Sequence, residues 1–205
     1  MFKEMSLEAF ARAAASSEPV PGGGSVSALA GALAASLAAM VAALTLNKEA
    51  YADRSPEMQH LHDTATGLQN ELLDAVNRDA QSYREVLSAY RLAKSTDEER
   101  RQRAAAIQAA FRHATEVPLQ VAEAALQVLE LAGTAARRGN PDMRTDAGVG
   151  ALLARSAALG ALMNARFNLG SLKDKKFAIQ MEERIGQVQQ KVIRMESDIL
   201  DSIGL

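Results

Sequence analysis

Pro21-Gly22-Gly23-Gly24-Ser25 leads directly into an Ala-rich apolar run. Three consecutive glycines free the backbone from side-chain sterics. At a helix start, their amides converge where orphan N–H groups and the positive end of the dipole suit an anion or a polar ligand edge. The same residues could equally form a plain connection with Ser25 as the helix cap. The loop lacks the Lys-Ser/Thr of a nucleotide P-loop and follows no strand pattern, which disfavours a mononucleotide site. Asp79 stands between Val76 and Tyr83 on a helical pattern. It reads either as a surface charge beside Arg78 and Arg84 or as a buried acid with a raised pKa, fit for general acid/base work. Asn164 and Asn168 share a helix face, where they either staple neighbouring helices or read the edge of a heterocycle. Gly139-Asn140-Pro141, followed by Thr145-Asp146-Ala147-Gly148, is a turn that also reads as a C-cap joined to an N-cap. His60 and His62 are two apart, on different helix faces, and His113 stands alone, so no metal site is expected.

These residues need helices to position them. Ser6 caps a short amphipathic helix carrying Leu7, Phe10 and Ala14, and Ser16 to Gly24 is a loop. A second helix is expected from near Ser25 to about Tyr51, with Gly31, Ala35 and Ala39 forming a stripe that lets another backbone approach. Ser55-Pro56 signals a restart with Ser55 as N-cap. Leu61, Leu68, Leu72, Val76, Tyr83, Val86 and Leu87 then keep helical spacing to about Arg91. Thr96 to Glu99 is a capping box opening a fourth helix that ends at Gly139, bent or interrupted at Pro118. A fifth helix is expected from about Asp146 to Asn168, and Ser171 should cap a sixth. No stretch alternates with period two. The expected fold is therefore all-α: an up-and-down antiparallel bundle of long helices, without a sheet, in a single domain over 1–205.

Composition narrows the function classes. The chain has no cysteine, which excludes disulfides, thiolate metal sites and cysteine nucleophiles and fits the cytoplasm. A formal charge of −2 and 4% aromatics with no Trp give no footprint for nucleic acid. Val26 to Leu46 could span a bilayer by length. Nine of those 21 residues are Ala, however, and no aromatic belt flanks them, so a buried helix is expected and no membrane partner. So much small apolar surface also gives a motive for dimerisation.

Taken in order, these segments resemble the cyclodeaminase/cyclohydrolase family, which comprises the C-terminal domain of formiminotransferase-cyclodeaminase and free-standing methenyltetrahydrofolate cyclohydrolases. The resemblance runs through the glycine loop, Leu44-Thr45 with Lys48 to Tyr51, Asp79-Ala80, Ala89-Tyr90-Arg91-Leu92 and Val117-Pro118-Leu119. It continues through Gly139-Asn140, Asp146-Ala147-Gly148, Asn164 and Asn168. It implies a homodimeric helical bundle that takes a tetrahydrofolate derivative as substrate, with no further cofactor. By motif position, Asp79 is the catalytic residue. Lys48, Asn140, Asp146, Asn164 and Asn168 are implied to orient the substrate, with Pro21, Gly22, Gly23, Gly24 and Ser25 supplying loop contacts. The expected reaction is hydrolysis of 5,10-methenyltetrahydrofolate to 10-formyltetrahydrofolate, as in the free-standing members. The alternatives are cyclisation of 5-formiminotetrahydrofolate with release of ammonia and a non-catalytic folate-binding module. The chain departs from the family at Asn47, often glycine there, and at Ala93, often proline.

Overall fold

The computed structural model describes residues 1–204. After a 3-10 turn at Phe2–Glu4, α1 (Leu7–Ala14) starts where the Ser6 hydroxyl accepts from the Ala9 N–H at 3.2 Å, and it buries Phe10. The loop after it holds a cis Val20–Pro21 bond and delivers the chain to α2 (Gly23–Leu46). α2 begins earlier than Ser25 because Gly22 takes the N-cap, and it stops at Leu46 rather than near Tyr51. Glu49–Arg54 forms a separate 3-10 segment in which Tyr51 leaves helical geometry. In α3 (Ser55–Tyr90), Ser55 is already helical and Arg54 is the N-cap, so the expected Ser55 cap does not form. α4 (Asp97–Arg138) opens on the expected reciprocal pair: the Glu99 N–H donates to Thr96 Oγ1 at 3.2 Å, and Glu99 Oε2 accepts from the Thr96 N–H at 2.9 Å. α5 (Arg144–Leu169) and α6 (Lys175–Ile203) complete the bundle. Asp174 caps α6, not Ser171, by accepting from the Phe177 N–H at 3.1 Å.

Among the described residues there are these six α-helices and no strand. α2 packs against α3, α4 and α5, as a helix with no charged residue must. The small-residue stripe makes this possible. A Cβ on Gly31 would lie 3.2 Å from a Leu72 methyl and 3.5 Å from Ala157 Cβ, so α3 and α5 close onto α2 from two sides. Leu61, Leu72 and Val76 of the α3 stripe are sealed into the core. Truncating a leucine such as Leu72 to alanine there costs about 2–5 kcal/mol.

Of the two outcomes expected at Pro118, interruption does not occur. A proline inside a helix leaves the carbonyl four residues earlier without its N–H donor. Here that carbonyl belongs to Ala114, and Asn168 Nδ2 on α5 donates to it at 2.6 Å. The orphan acceptor is satisfied from a neighbouring helix, and the 42-residue helix runs on.

Candidate active site

The first turn of α2 lacks a side-chain cap of its own because its N-cap is Gly22. Asp79, brought alongside from α3, supplies the missing carboxylate. Its Oδ2 accepts from Ser25 Oγ at 2.8 Å, while the same hydroxyl lies 3.1 Å from the Val76 carbonyl. Gly24 is what allows the approach. A Cβ at that position would stand 2.0 Å from Asp79 Oδ1 and 2.5 Å from its Cγ. No other residue type leaves that space empty.

Ser25 is fully buried and Asp79 half-buried. Burial pushes the Asp79 carboxyl above its ordinary pKa, and hydrogen bonds from the Ser25 hydroxyl and amide pull the other way without cancelling the effect. Of the two readings of Asp79, the surface charge is therefore set aside. It is a partly desolvated acid held at the positive end of a helix.

Asn164 joins the same wall. Its Nδ2 donates to the Gly160 carbonyl at 2.8 Å and would sit 3.4 Å from a Cβ on Gly23. Asn168 is one turn on, but its amide is committed to Ala114, so it acts as a staple at this end of the bundle. Pro21 is buried beneath the loop. Two residues not singled out from sequence complete the seam between α2 and α5. Ser27 Oγ donates to the Gly23 carbonyl at 2.7 Å, and Gly160 makes room for that hydroxyl, which a Cβ would meet at 2.5 Å. The available signal was a glycine inside a helix, four residues before Asn164.

The remaining candidates lie elsewhere. Lys48 follows the C-terminus of α2, about 36 Å from Asp79 at the rise of a 24-residue helix. Its Nζ donates to Asp142 Oδ2 at 2.9 Å, which raises the Lys48 pKa and lowers that of Asp142. Asn140 is buried beside them: its N–H donates to Thr45 Oγ1 at 2.8 Å and its Oδ1 accepts from the Asp142 N–H. Asp146 is half-buried in the first turn of α5. One chain thus presents two polar clusters at opposite ends of α2, with the desolvated carboxylate at one end only.

A bundle of long helices that seats a desolvated carboxylate against a glycine-opened helix start defines an all-α protein with one buried polar seam at the start of α2. A family model described as Formiminotransferase-cyclodeaminase matches residues 6–187, and the chain belongs to that family. It is 36% identical over 183 residues to a methenyltetrahydrofolate cyclohydrolase of Methylorubrum extorquens, covering 89% of this chain and 86% of that one. It is 32% identical over 200 residues to the formimidoyltransferase-cyclodeaminase of Rattus norvegicus, covering 98% of this chain but 37% of that longer protein. The crystal structure of a formiminotetrahydrofolate cyclodeaminase from Thermotoga maritima superposes with a TM-score of 0.89 at 26% identity, covering 99% and 98% of the two chains.

Proposed function

We propose that the protein hydrolyses 5,10-methenyltetrahydrofolate to 10-formyltetrahydrofolate, with Asp79 as the acid/base group and no further cofactor, in the cytoplasm that a cysteine-free chain suits. The observation that carries this reading is the Ser25–Asp79–Gly24 contact, in a chain that matches the cyclohydrolase over most of both lengths. The one-carbon unit is a cationic carbon bridging N5 and N10. Asp79 takes a proton from water as the oxygen adds to that carbon, forming a tetrahedral intermediate. The bond to N5 then breaks as N5 receives the proton from Asp79, the intermediate's hydroxyl gives up its own proton through the freed carboxylate to solvent as the C=O forms, and the formyl group stays on N10. The carboxylate also stabilises the cationic centre before attack.

The resemblance to cyclodeaminases favours a second reading. In it, the same acid protonates the departing nitrogen of a 5-formimino group as N10 closes the ring and ammonia leaves. Loss of the near-ultraviolet absorbance of 5,10-methenyltetrahydrofolate tests the first reading, and ammonia release from the formimino substrate tests the second. Folate binding without either signal would leave the non-catalytic module.

The reading includes a homodimer. Val26, Leu33, Met40 and Leu44 on α2, with Val149, Leu152, Met163 and Phe167 on α5, form an exposed charge-free face; Phe167 is 81% exposed. A second copy bound there about a two-fold axis perpendicular to α2 sets the Lys48–Asn140–Asp146 end of one protomer beside the Asp79 end of its partner. That arrangement completes a pocket from the two separated clusters. Light scattering checks it: the Met163→Asp, Phe167→Asp double variant should be monomeric and slow. A wild-type monomer at micromolar concentration with full turnover, or lipid-vesicle binding through this face, overturns the arrangement.

A further inference from the structure

The turn between α4 and α5 is docked onto the last turns of α2 by three contacts in register. Gly139 lies over Val41: a Cβ there would stand 2.8 Å from Val41 Cγ1 and 2.4 Å from the Ala135 carbonyl oxygen, so only glycine lets the turn close. Asn140 gives its N–H to Thr45 Oγ1, and Asp142 reaches Lys48. Thr45 is the joint. It is fully buried, its hydroxyl donates to the Val41 carbonyl at 2.7 Å, and its own carbonyl accepts from the Lys48 N–H at 3.1 Å. The Lys48 carbonyl accepts from the Tyr51 N–H at 3.0 Å, so the lysine backbone is tied on both sides. The departure from the family at Asn47 leaves this intact, because that residue is right-handed at φ −76° and needs no glycine.

Lys48 and Asp142 are therefore carried by the same buried threonine, one through its carbonyl and the other through Asn140, whose Oδ1 accepts from the Asp142 N–H at 3.2 Å. Their side chains meet at 2.9 Å. Among the described residues, Lys48 has no other carboxylate within ion-pair distance. The lysine side chain is 46% exposed and the aspartate 70%, and an exposed pair of this kind adds little to stability. Such firm placement of a pair that the fold does not need points to a role in the site.

We infer that Asp142 is a specificity-determining residue: it cancels the charge of Lys48, so that the pocket prefers a cationic one-carbon unit to a neutral folate. The inference rests on the folate reading and on the two-fold arrangement above, which sets Lys48 beside the Asp79 end of the partner. The methenyl bridge is a cation, and the amidine of a 5-formimino group is protonated at neutral pH. An unpaired ammonium would repel either, since charges in a partly desolvated pocket are screened far less than in water. Paired with Asp142, Lys48 keeps N–H donors for the polar edges of the ligand and adds no net charge. Thr45 and Asn140 form the platform that holds the pair.

Initial rates with 5,10-methenyltetrahydrofolate, and their competitive inhibition by tetrahydrofolate, which lacks the cationic carbon, test this on the whole chain. The preference is the ratio of KM to the inhibition constant. Asp142→Asn should raise that ratio roughly tenfold while melting with wild type. Lys48→Met should move it the opposite way by leaving Asp142 unbalanced, and the double variant should return to the wild-type ratio. Any loss of orientation by Lys48 weakens both ligands alike and drops out. Added salt should shrink both shifts. Apart from turnover, Asp142→Asn should speed acetylation of Lys48 at fixed pH, because the ion pair holds the lysine's pKa above its ordinary value. A ratio unchanged in Asp142→Asn, or moved the same way by Asp142→Asn and Lys48→Met, overturns the inference and leaves the folate reading standing. A wild type that turns over neither folate overturns both.

Discussion

Replacing Gly24 with alanine is the most direct test of the site. The added Cβ would fall 2.0 Å from Asp79 Oδ1, where ordinary contact begins at 3.4 Å, so about 1.4 Å of separation must be found. Asp79 is short and has little slack. Turning its carboxylate away breaks the 2.8 Å bond to Ser25 one residue further along. Moving α2 away from α3 instead presses it onto α5, where Ser27 Oγ already fills the space that a Cβ on Gly160 would need. Overpacking of this kind costs about 1–3 kcal/mol, and each kcal/mol lowers the melting temperature of a chain this size by roughly 2–4 °C. The catalytic effect is larger. A displacement above 1 Å at the reacting group costs on the order of 100-fold in turnover. The assay is methenyltetrahydrofolate hydrolysis followed by absorbance, beside thermal unfolding. Gly23→Ala should be milder, because its Cβ would meet only Asn164 Nδ2 at 3.4 Å. Gly67→Ala, in open space on α3, should stabilise the helix by about 1 kcal/mol without touching the site. Gly24→Ala turning over within about threefold of wild type, or no worse than Gly23→Ala, would refute the claim that Asp79 needs this glycine.

Asp79→Asn should lower turnover by roughly 10²–10⁴-fold without weakening the fold. The folded pKa of Asp79 is raised, so its stabilising contribution is complete below the unfolded value of about 3.9 and is lost as pH rises through the folded one. The asparagine variant should therefore melt at or above the wild-type temperature at pH 7, with the gap closing toward pH 4; a lower melting temperature at pH 7 counts against a desolvated carboxylate. In the wild type, kcat/KM should fall on the acid side with a midpoint above that of an ordinary aspartate, and Ser25→Ala should move that midpoint higher still by removing a bond that favours the charged form. A pH profile unchanged in Ser25→Ala would disconnect Ser25 from the acid/base group. Asn168→Leu should destabilise by about 1–3 kcal/mol by orphaning the Ala114 carbonyl, and Pro118→Ala in the same chain should recover much of that by restoring the helical donor. Additive losses in that cycle would sink the pairing.

Helix periodicity, the Ser6 cap and the Thr96–Glu99 capping box were legible along the chain because each depends on residues within one turn of one another. So was the packing of α2 against several helices, since a helix without charge must cover most of its surface, although Val26, Leu33, Met40 and Leu44 stay exposed in the single chain. Signals that looked local failed where tertiary partners intervened. Pro118 could have interrupted its helix and did not, because Asn168, 54 residues from Ala114, donates to the carbonyl that the proline frees there. Asp79 was ambiguous until the register between α2 and α3 set it against Gly24 and Ser25, and that register is fixed by contacts such as Leu72 on Gly31 rather than by anything near Asp79 in sequence. The same packing put Lys48 and Asn140 at the far end of α2, a separation that residue types and family order cannot express. Spacing along the chain specifies which helices form and which faces they bury. Only the way antiparallel helices slide to fill their mutual grooves determines which side chains, distant in sequence, share a site.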